Sequence, residues 1–198
     1  MTLSRRTLAR AAATLTAAAA LGTALPAFAA DPRVKFVTSE GDFVVELYPD
    51  KAPKTVANFL QYVKDKHYDG TVFHRVIKGF MVQGGGFDRN YKEKETRASV
   101  IHEGRKSLAA GLRNVTGTIA MARTNDPTTG NGGQFFFVDA RTTLPDPAGY
   151  SVFGQVVSGL DIVDRIVAEG LAGGASTTDG VPAAPISILR VAVTEKKA

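Results

Sequence analysis

Many short β-rich runs, only two stretches with helical periodicity, and frequent turn residues between them predict a mainly β domain, a barrel or a sandwich. Residues 34–38 and 42–48 are two such runs, joined by Ser39-Glu40-Gly41, whose glycine is free to take positive φ, so they read as a hairpin. Pro53 suits the first turn of a helix, and Val56, Phe59, Leu60 and Val63 then recur at i, i+3, i+4 and i+7; the helix buries one stripe and ends near His67. Further strands are expected at 71–76, 80–83, 117–122, 134–138, 150–157 and 186–194. A second helix is expected over 160–168, with Ser158 placed to cap it, Asp161 three positions on, Ile162, Val163, Ile166 and Val167 facing inward, and Gly170 closing its end. Residues 90–111 carry many charges and read as an extended surface loop, and 172–185, rich in Gly, Thr, Ala and Pro, read as another loop.

Residues 1–29 stand apart from this pattern. Arg5, Arg6 and Arg10 precede an apolar run over 11–25, and Ala27-Phe28-Ala29 forms a small-x-small cleavage site, together an export signal. The run Ser4-Arg5-Arg6-Thr7-Leu8 has the twin-arginine form, which directs folded proteins to the periplasm or outside the cell. The apolar run falls short of the ~20 residues that cross a bilayer, so no stable membrane insertion is expected once the signal is removed. Residues 30–198 then form one domain, with no internal repeat and no second boundary. Loss of the three arginines lowers the formal charge from +5 to +2, which leaves little electrostatic support for a nucleic-acid role. The chain has no cysteine, and so neither disulfides nor thiolate chemistry.

The stretch Phe73-His74-Arg75-Val76-Ile77-Lys78-Gly79-Phe80-Met81-Val82-Gln83-Gly84-Gly85 sets one arginine and one glutamine among apolar groups. Same-face residues recur every second position in neighbouring strands, so Arg75, Phe80, Met81 and Gln83 are expected on one surface, with Ile77 and Val82 pointing elsewhere. A cationic donor beside an apolar floor suits an apolar ring next to a carbonyl, which proline presents within a peptide. Together with Gly117-Thr118-Ile119-Ala120-Met121-Ala122-Arg123, Gln134-Phe135-Phe136-Phe137 and Val152-Phe153-Gly154, the stretch resembles the signature set of the cyclophilin-type peptidyl-prolyl cis-trans isomerases, in the version of the secreted bacterial members. The resemblance spans about residues 34–193. It implies a closed eight-stranded antiparallel β-barrel capped by two α-helices, one over each open end. It also implies a proline pocket of Phe80, Met81, Phe136 and Leu144, with Ala122, Arg123 and Thr124 along a groove and Tyr150 at its rim.

Rotation about an X-Pro bond is slow because amide resonance imposes a barrier of ~18–20 kcal/mol. As the amide twists, the proline nitrogen becomes pyramidal and can accept a hydrogen bond, so a fixed donor there stabilises the twisted state above either planar isomer. Arg75, permanently charged and rich in N–H groups, is the natural donor, and Gln83 can bond neighbouring backbone and hold it in place. Shortening tens of seconds to about a millisecond requires ~6 kcal/mol. One charge-assisted hydrogen bond supplies only ~1.5–3 kcal/mol, so the remainder falls to an apolar pocket that holds the ring and excludes water. Arg75, Phe80 and Gln83 are therefore the candidate catalytic residues, and no metal or other cofactor is required.

Taken singly, Arg75 would be a surface arginine, Phe80, Met81 and Phe136 core residues, and Gln83 a polar strand residue; their joint placement in several motifs in one order favours a groove. His67, His74 and His102 match no common zinc spacing, and His74 should face away from Arg75. Gly84-Gly85-Gly86 is no phosphate loop, because no Gly-Lys-Ser/Thr follows, and residues 126–133 read as a turn beside the groove. Many family members have tryptophan where Leu144 falls and histidine where Tyr150 falls; leucine removes an indole donor and flat contact area, so weak cyclosporin binding is expected. The expected function is isomerisation of X-Pro bonds in proline-containing peptides and partly folded exported proteins by a monomer. The alternative is a proline-segment binding module or chaperone with negligible turnover, which would need the apolar groove but not the Arg75–Gln83 pair.

Overall fold

A computed structural model describes residues 31–123, 130–139, 149–171 and 180–194. Within them the chain runs β1 (Arg33–Thr38), β2 (Gly41–Leu47), α1 (Pro53–Lys64), β3 (Thr71–Ile77), β4 (Met81–Asp88), α2 (Gly104–Ala109), β5 (Thr118–Arg123), β6 (Gly130–Val138), β7 (Ser151–Ser158), α3 (Leu160–Leu171) and β8 (Ile186–Thr194). The eight strands close into an antiparallel barrel in the order β1-β2-β7-β5-β6-β4-β3-β8. The predicted signal at 1–29 lies outside the described residues.

Alternation along each strand fills the barrel. Val34 and Phe36 of β1, Phe43, Val45 and Leu47 of β2, Ile119 and Met121 of β5, and Phe135 and Phe137 of β6 point inward and are buried. Their rings interlock: Phe36 stacks on Phe43 at 4.8 Å, and meets Phe135 and Phe137 edge-on at 5.5 and 5.6 Å. Such pairs add about 0.5–1.5 kcal/mol each beyond the area they bury.

The two long helices close opposite ends. Leu60 and Val63 of α1 line a cleft shared with Pro32 and Val191–Val193, where the barrel's first and last strands meet. At the other end of β1, the side chain of Ile162 in α3 abuts Gly41, and Arg165 donates to the Glu40 carbonyl at 3.0 Å. Each helix sends a buried stripe into the core, Val56, Phe59, Tyr62 and Val63 from α1 and Val163, Ile166 and Val167 from α3.

Two local expectations change. Gly170 does not end α3; it lies buried within it, where a Cβ would come 2.7 Å from a Val76 methyl, so the glycine serves close helix–strand approach. The stretch 90–111 is more than an extended loop, because it contains α2 and buries Glu103 and Ser107. The Glu103 carboxylate accepts from both the N–H and the hydroxyl of Thr55, each at 2.8 Å, and its own N–H donates to Ser151 Oγ at 2.8 Å. Residues 90–115 thus cover part of the barrel wall with fixed contacts.

Candidate active site

The outer face of β4, β5, β6 and β7 carries a second apolar cluster, buried Met81, Ala120, Ala122, Phe136, Val138 and Val152, with Ile77, Phe80, Leu112 and Tyr150 packed against it. An exposed barrel wall would be polar at these positions. Their burial explains why β5 reads as a nearly continuous apolar run.

Arg75 reaches this face through an irregularity. Phe73 pairs with Gly84, and Arg75 with Gln83, so β3 advances two residues while β4 advances one, and His74 is the extra residue of a β-bulge. In a regular strand Phe73 and Arg75 would share a face. The bulge breaks that rule: Phe73 is in the barrel core, whereas Arg75 lines the outer concavity. Beyond it, Ile77 opposes Met81 and belongs to the outer cluster, contrary to the expectation that it points elsewhere. Phe80 is not a strand residue. It sits in the turn before β4, where its N–H donates to Ile77 O at 3.0 Å and its carbonyl accepts from Asp139 N–H at 3.1 Å.

Register then lines up the site. Arg75 is opposite Gln83, Gln83 opposite Phe136, and Phe136 opposite Ala120, one rung across β3, β4, β6 and β5. Around this rung lies a concavity of about 200 Å³, lined by Arg75, Phe80, Met81, Gln83, Ala122, Arg123, Phe136 and Tyr150. It is smaller than the ~300–1,000 Å³ pockets that take drug-sized ligands, and fits a single side chain. Tyr150 meets Phe136 edge-on at 5.0 Å, and the Arg123 guanidinium lies over the Tyr150 ring at 5.5 Å, so aromatic and cation–π contacts fix the rim. Thr124 and Leu144 lie outside the described residues.

Gln83 bonds a side chain rather than backbone: its amide N–H donates to Gln134 Oε1 at 2.8 Å. Gln134, buried at 6% exposure, was not singled out as a site residue, although it opens the Gln-Phe-Phe-Phe motif. The glycine run of β4 gives Gln134 its place, since a Cβ on Gly86 would come 2.5 Å from its amide carbon. The run serves packing.

The histidines lie around this assembly. His74 packs on the Phe87 ring at 4.5 Å, and burial together with the neighbouring Arg75 lowers its pKa to about 4. His102 Nδ1 accepts from Gly104 N–H at 3.3 Å, and burial followed by Arg123 lowers its pKa. His67, whose Nε2 lies 3.2 Å from Gly85 O, is lowered by burial and then by Lys94. All three favour the neutral form at pH 7. Among the described residues, no three His, Cys, Asp or Glu side chains are grouped to hold a metal ion.

A floor of neutral apolar side chains between two guanidiniums can grip an apolar ring while N–H groups reach adjacent carbonyl oxygens and a twisting amide nitrogen. Comparison with known proteins agrees with that chemistry. The family model described as cyclophilin type peptidyl-prolyl cis-trans isomerase matches residues 33–193. The chain is 42% identical over 175 residues to a peptidyl-prolyl cis-trans isomerase of Acinetobacter baylyi, covering 83% of this chain and 86% of that one. It is also 42% identical to peptidyl-prolyl cis-trans isomerase B of Escherichia coli, covering 82% and 99%. A crystal structure of a Cryptosporidium parvum cyclophilin type isomerase in the presence of the dipeptide Ala-Pro superposes with a TM-score of 0.68 at 26% identity, covering 83% of this chain and 99% of that one. The match extends over nearly the whole barrel, and the chain belongs to the cyclophilin-type peptidyl-prolyl cis-trans isomerases.

Proposed function

We propose that Arg75 is the electrostatic centre of this isomerase, that Phe80, Met81, Phe136 and Leu144 hold the substrate proline, and that Gln83 keeps the site in register with β6. Ala122, Arg123, Thr124 and Tyr150 bind the flanking peptide. The observation that carries this reading is the rung Arg75–Gln83–Phe136–Ala120, which sets a permanent cation beside an apolar concavity of single-side-chain size. Arg75 donates to the proline nitrogen as the amide twists, and the pocket fixes the ring while the preceding residue rotates.

The test is cis-to-trans conversion of an Ala-Pro-Phe peptide at low temperature. Arg75→Ala is expected to lower kcat/KM by roughly 10²–10³-fold, the usual effect of deleting a donor aimed at the transition state, with little change in Tm. Equal rates in the two proteins would reject Arg75 as the centre.

The biological setting is part of the proposal. The chain acts as a monomer in the periplasm or outside the cell, after removal of residues 1–29, on partly folded exported proteins. The twin-arginine pattern supports export of the folded form, and barrel closure, which pairs the first strand with the last, supports the monomer. Fusing residues 1–35 to a reporter that works only when folded before export tests the route; an inactive reporter would contradict it. Leucine at position 144 supports weak cyclosporin binding, and a nanomolar Kd by calorimetry would overturn that expectation.

A further inference from the structure

β3 loses its neighbour just before Arg75. Its pairing with β8 covers Thr71, Val72 and Phe73 and ends there, opposite Ile186. On the edge so exposed, Val76 N–H donates to the carbonyl of Gly180 at 2.6 Å, so Gly180 takes the place that β8 has left. Gly180 has φ +69°, and a Cβ on it would stand 2.9 Å from Val76 O, 3.1 Å from Ile77 Cγ1 and 3.2 Å from Arg75 Cγ. The glycine therefore lies flat against the aliphatic stem of Arg75. Two residues on, Pro182 is buried and its carbonyl accepts from Tyr91 Oη at 3.5 Å, which ties this segment to the turn after β4. Gly170 of α3 presses on the same Val76 from the core side.

We propose that Gly180 is a positioning residue for the isomerase. Its carbonyl holds the strand edge at Val76, and its bare α-carbon forms a wall along the Arg75 stem that limits the rotamers of a long, entropic side chain and aims the guanidinium into the concavity. A Cβ at position 180 would crowd the Arg75 stem, 3.2 Å from its Cγ, and press on Val76 O and Ile77 Cγ1. This inference rests on Arg75 being the electrostatic centre.

Asparagine tolerates the left-handed region, so Gly180→Asn carries little φ penalty, and its Cβ has to displace Val76 O as well as the Arg75 stem. In the full chain, Gly180→Asn is expected to lower kcat by roughly 10–100-fold, the scale for misplacing a catalytic group by about 1 Å, with KM for the Ala-Pro-Phe peptide within about twofold and a shifted Arg75 Nε–Hε resonance. Wild-type kcat with an unmoved resonance would overturn the inference. So would a loss that appears in KM and Tm while the resonance stays in place, because that marks a structural role alone. A second measurement needs no variant: in the unaltered chain the Arg75 Nε–Hε order parameter should exceed those of the exposed Arg89 and Arg105, and a value equal to theirs would overturn the proposal. Arg75→Ala in the same assay separates the two readings. If it keeps the wild-type rate, the assignment of Arg75 fails; if it loses the rate while Gly180→Asn retains it, the role of Gly180 alone fails.

Discussion

His74 carries a stability signal that its position beside Arg75 creates. With its pKa lowered to about 4 by burial and the guanidinium, it stays neutral in the folded state while the unfolded chain takes up a proton near pH 6.5. Its contribution is complete above pH 6.5 and is lost as pH falls toward 4, up to about 3 kcal/mol for a shift of this size in a mostly buried group. His67 and His102 are lowered too and act in the same direction. Urea unfolding of wild type and His74→Gln between pH 7 and 4.5 checks this: the variant should show a flatter decline, and parallel curves would contradict it. Gln134 is the other residue whose importance comes from a single contact. Removing its acceptor in Gln134→Leu leaves the Gln83 amide unsatisfied, and kcat/KM for the Ala-Pro-Phe peptide should fall about tenfold, corresponding to roughly 1.4 kcal/mol. Gln83 was legible from its spacing to Arg75. Gln134 was not, because its partner is 51 positions away and only the pairing of β4 with β6 brings them together.

At the scale of elements, α1 shows what a local pattern omits. Its apolar stripe and Pro53 announce the helix, yet Ala52 at its N-cap makes no side-chain cap bond, and the acceptor comes instead from Glu103. Glu103 thus joins the first turn of α1, through its carboxylate, to Ser151, through its backbone N–H, next to Tyr150 at the rim of the concavity. Glu103→Ala should cost about 3 kcal/mol in urea unfolding, since it deletes two hydrogen bonds to a buried charged acceptor. A loss below about 0.5 kcal/mol would show the brace to be redundant. The same brace explains why α2 was invisible: Gly104–Ala109 is too short to display a stripe, and its place depends on contacts from distant segments. The strands were legible because inward residues alternate. Their register, which makes the rung at the site, follows from ring packing and from the bulge at His74.

For the whole molecule, closure joins the first strand to the last. Arg33 stands opposite Thr194 and Val34 opposite Val193, so the two ends of the barrel's chain lie side by side. Connecting them by a short linker and opening the chain in the exposed turn after β1 should leave the barrel and its site intact. Such a permutant is expected to keep kcat/KM within about threefold at a somewhat lower Tm; a permutant that folds but has lost activity would show that the connection between β1 and β2 sets the site's geometry. Eight strands and two long helices were legible from composition and periodicity. Their order around the barrel was not, because β2 meets β7 and β3 meets β8 across long sequence separations.

The extra residue in β3 makes strand pairing, more than side-chain identity, the guardian of the site. Substituting His74 by alanine leaves the count unchanged and Arg75 outside. Deleting residue 74 removes the bulge and makes Phe73 and Arg75 consecutive in a regular ladder, still on opposite faces, so the guanidinium is expected to stay outside. Inheritance at this position is therefore tolerant of spelling and of a single gap, and intolerant of any re-pairing that flattens the bulge while residue 74 remains.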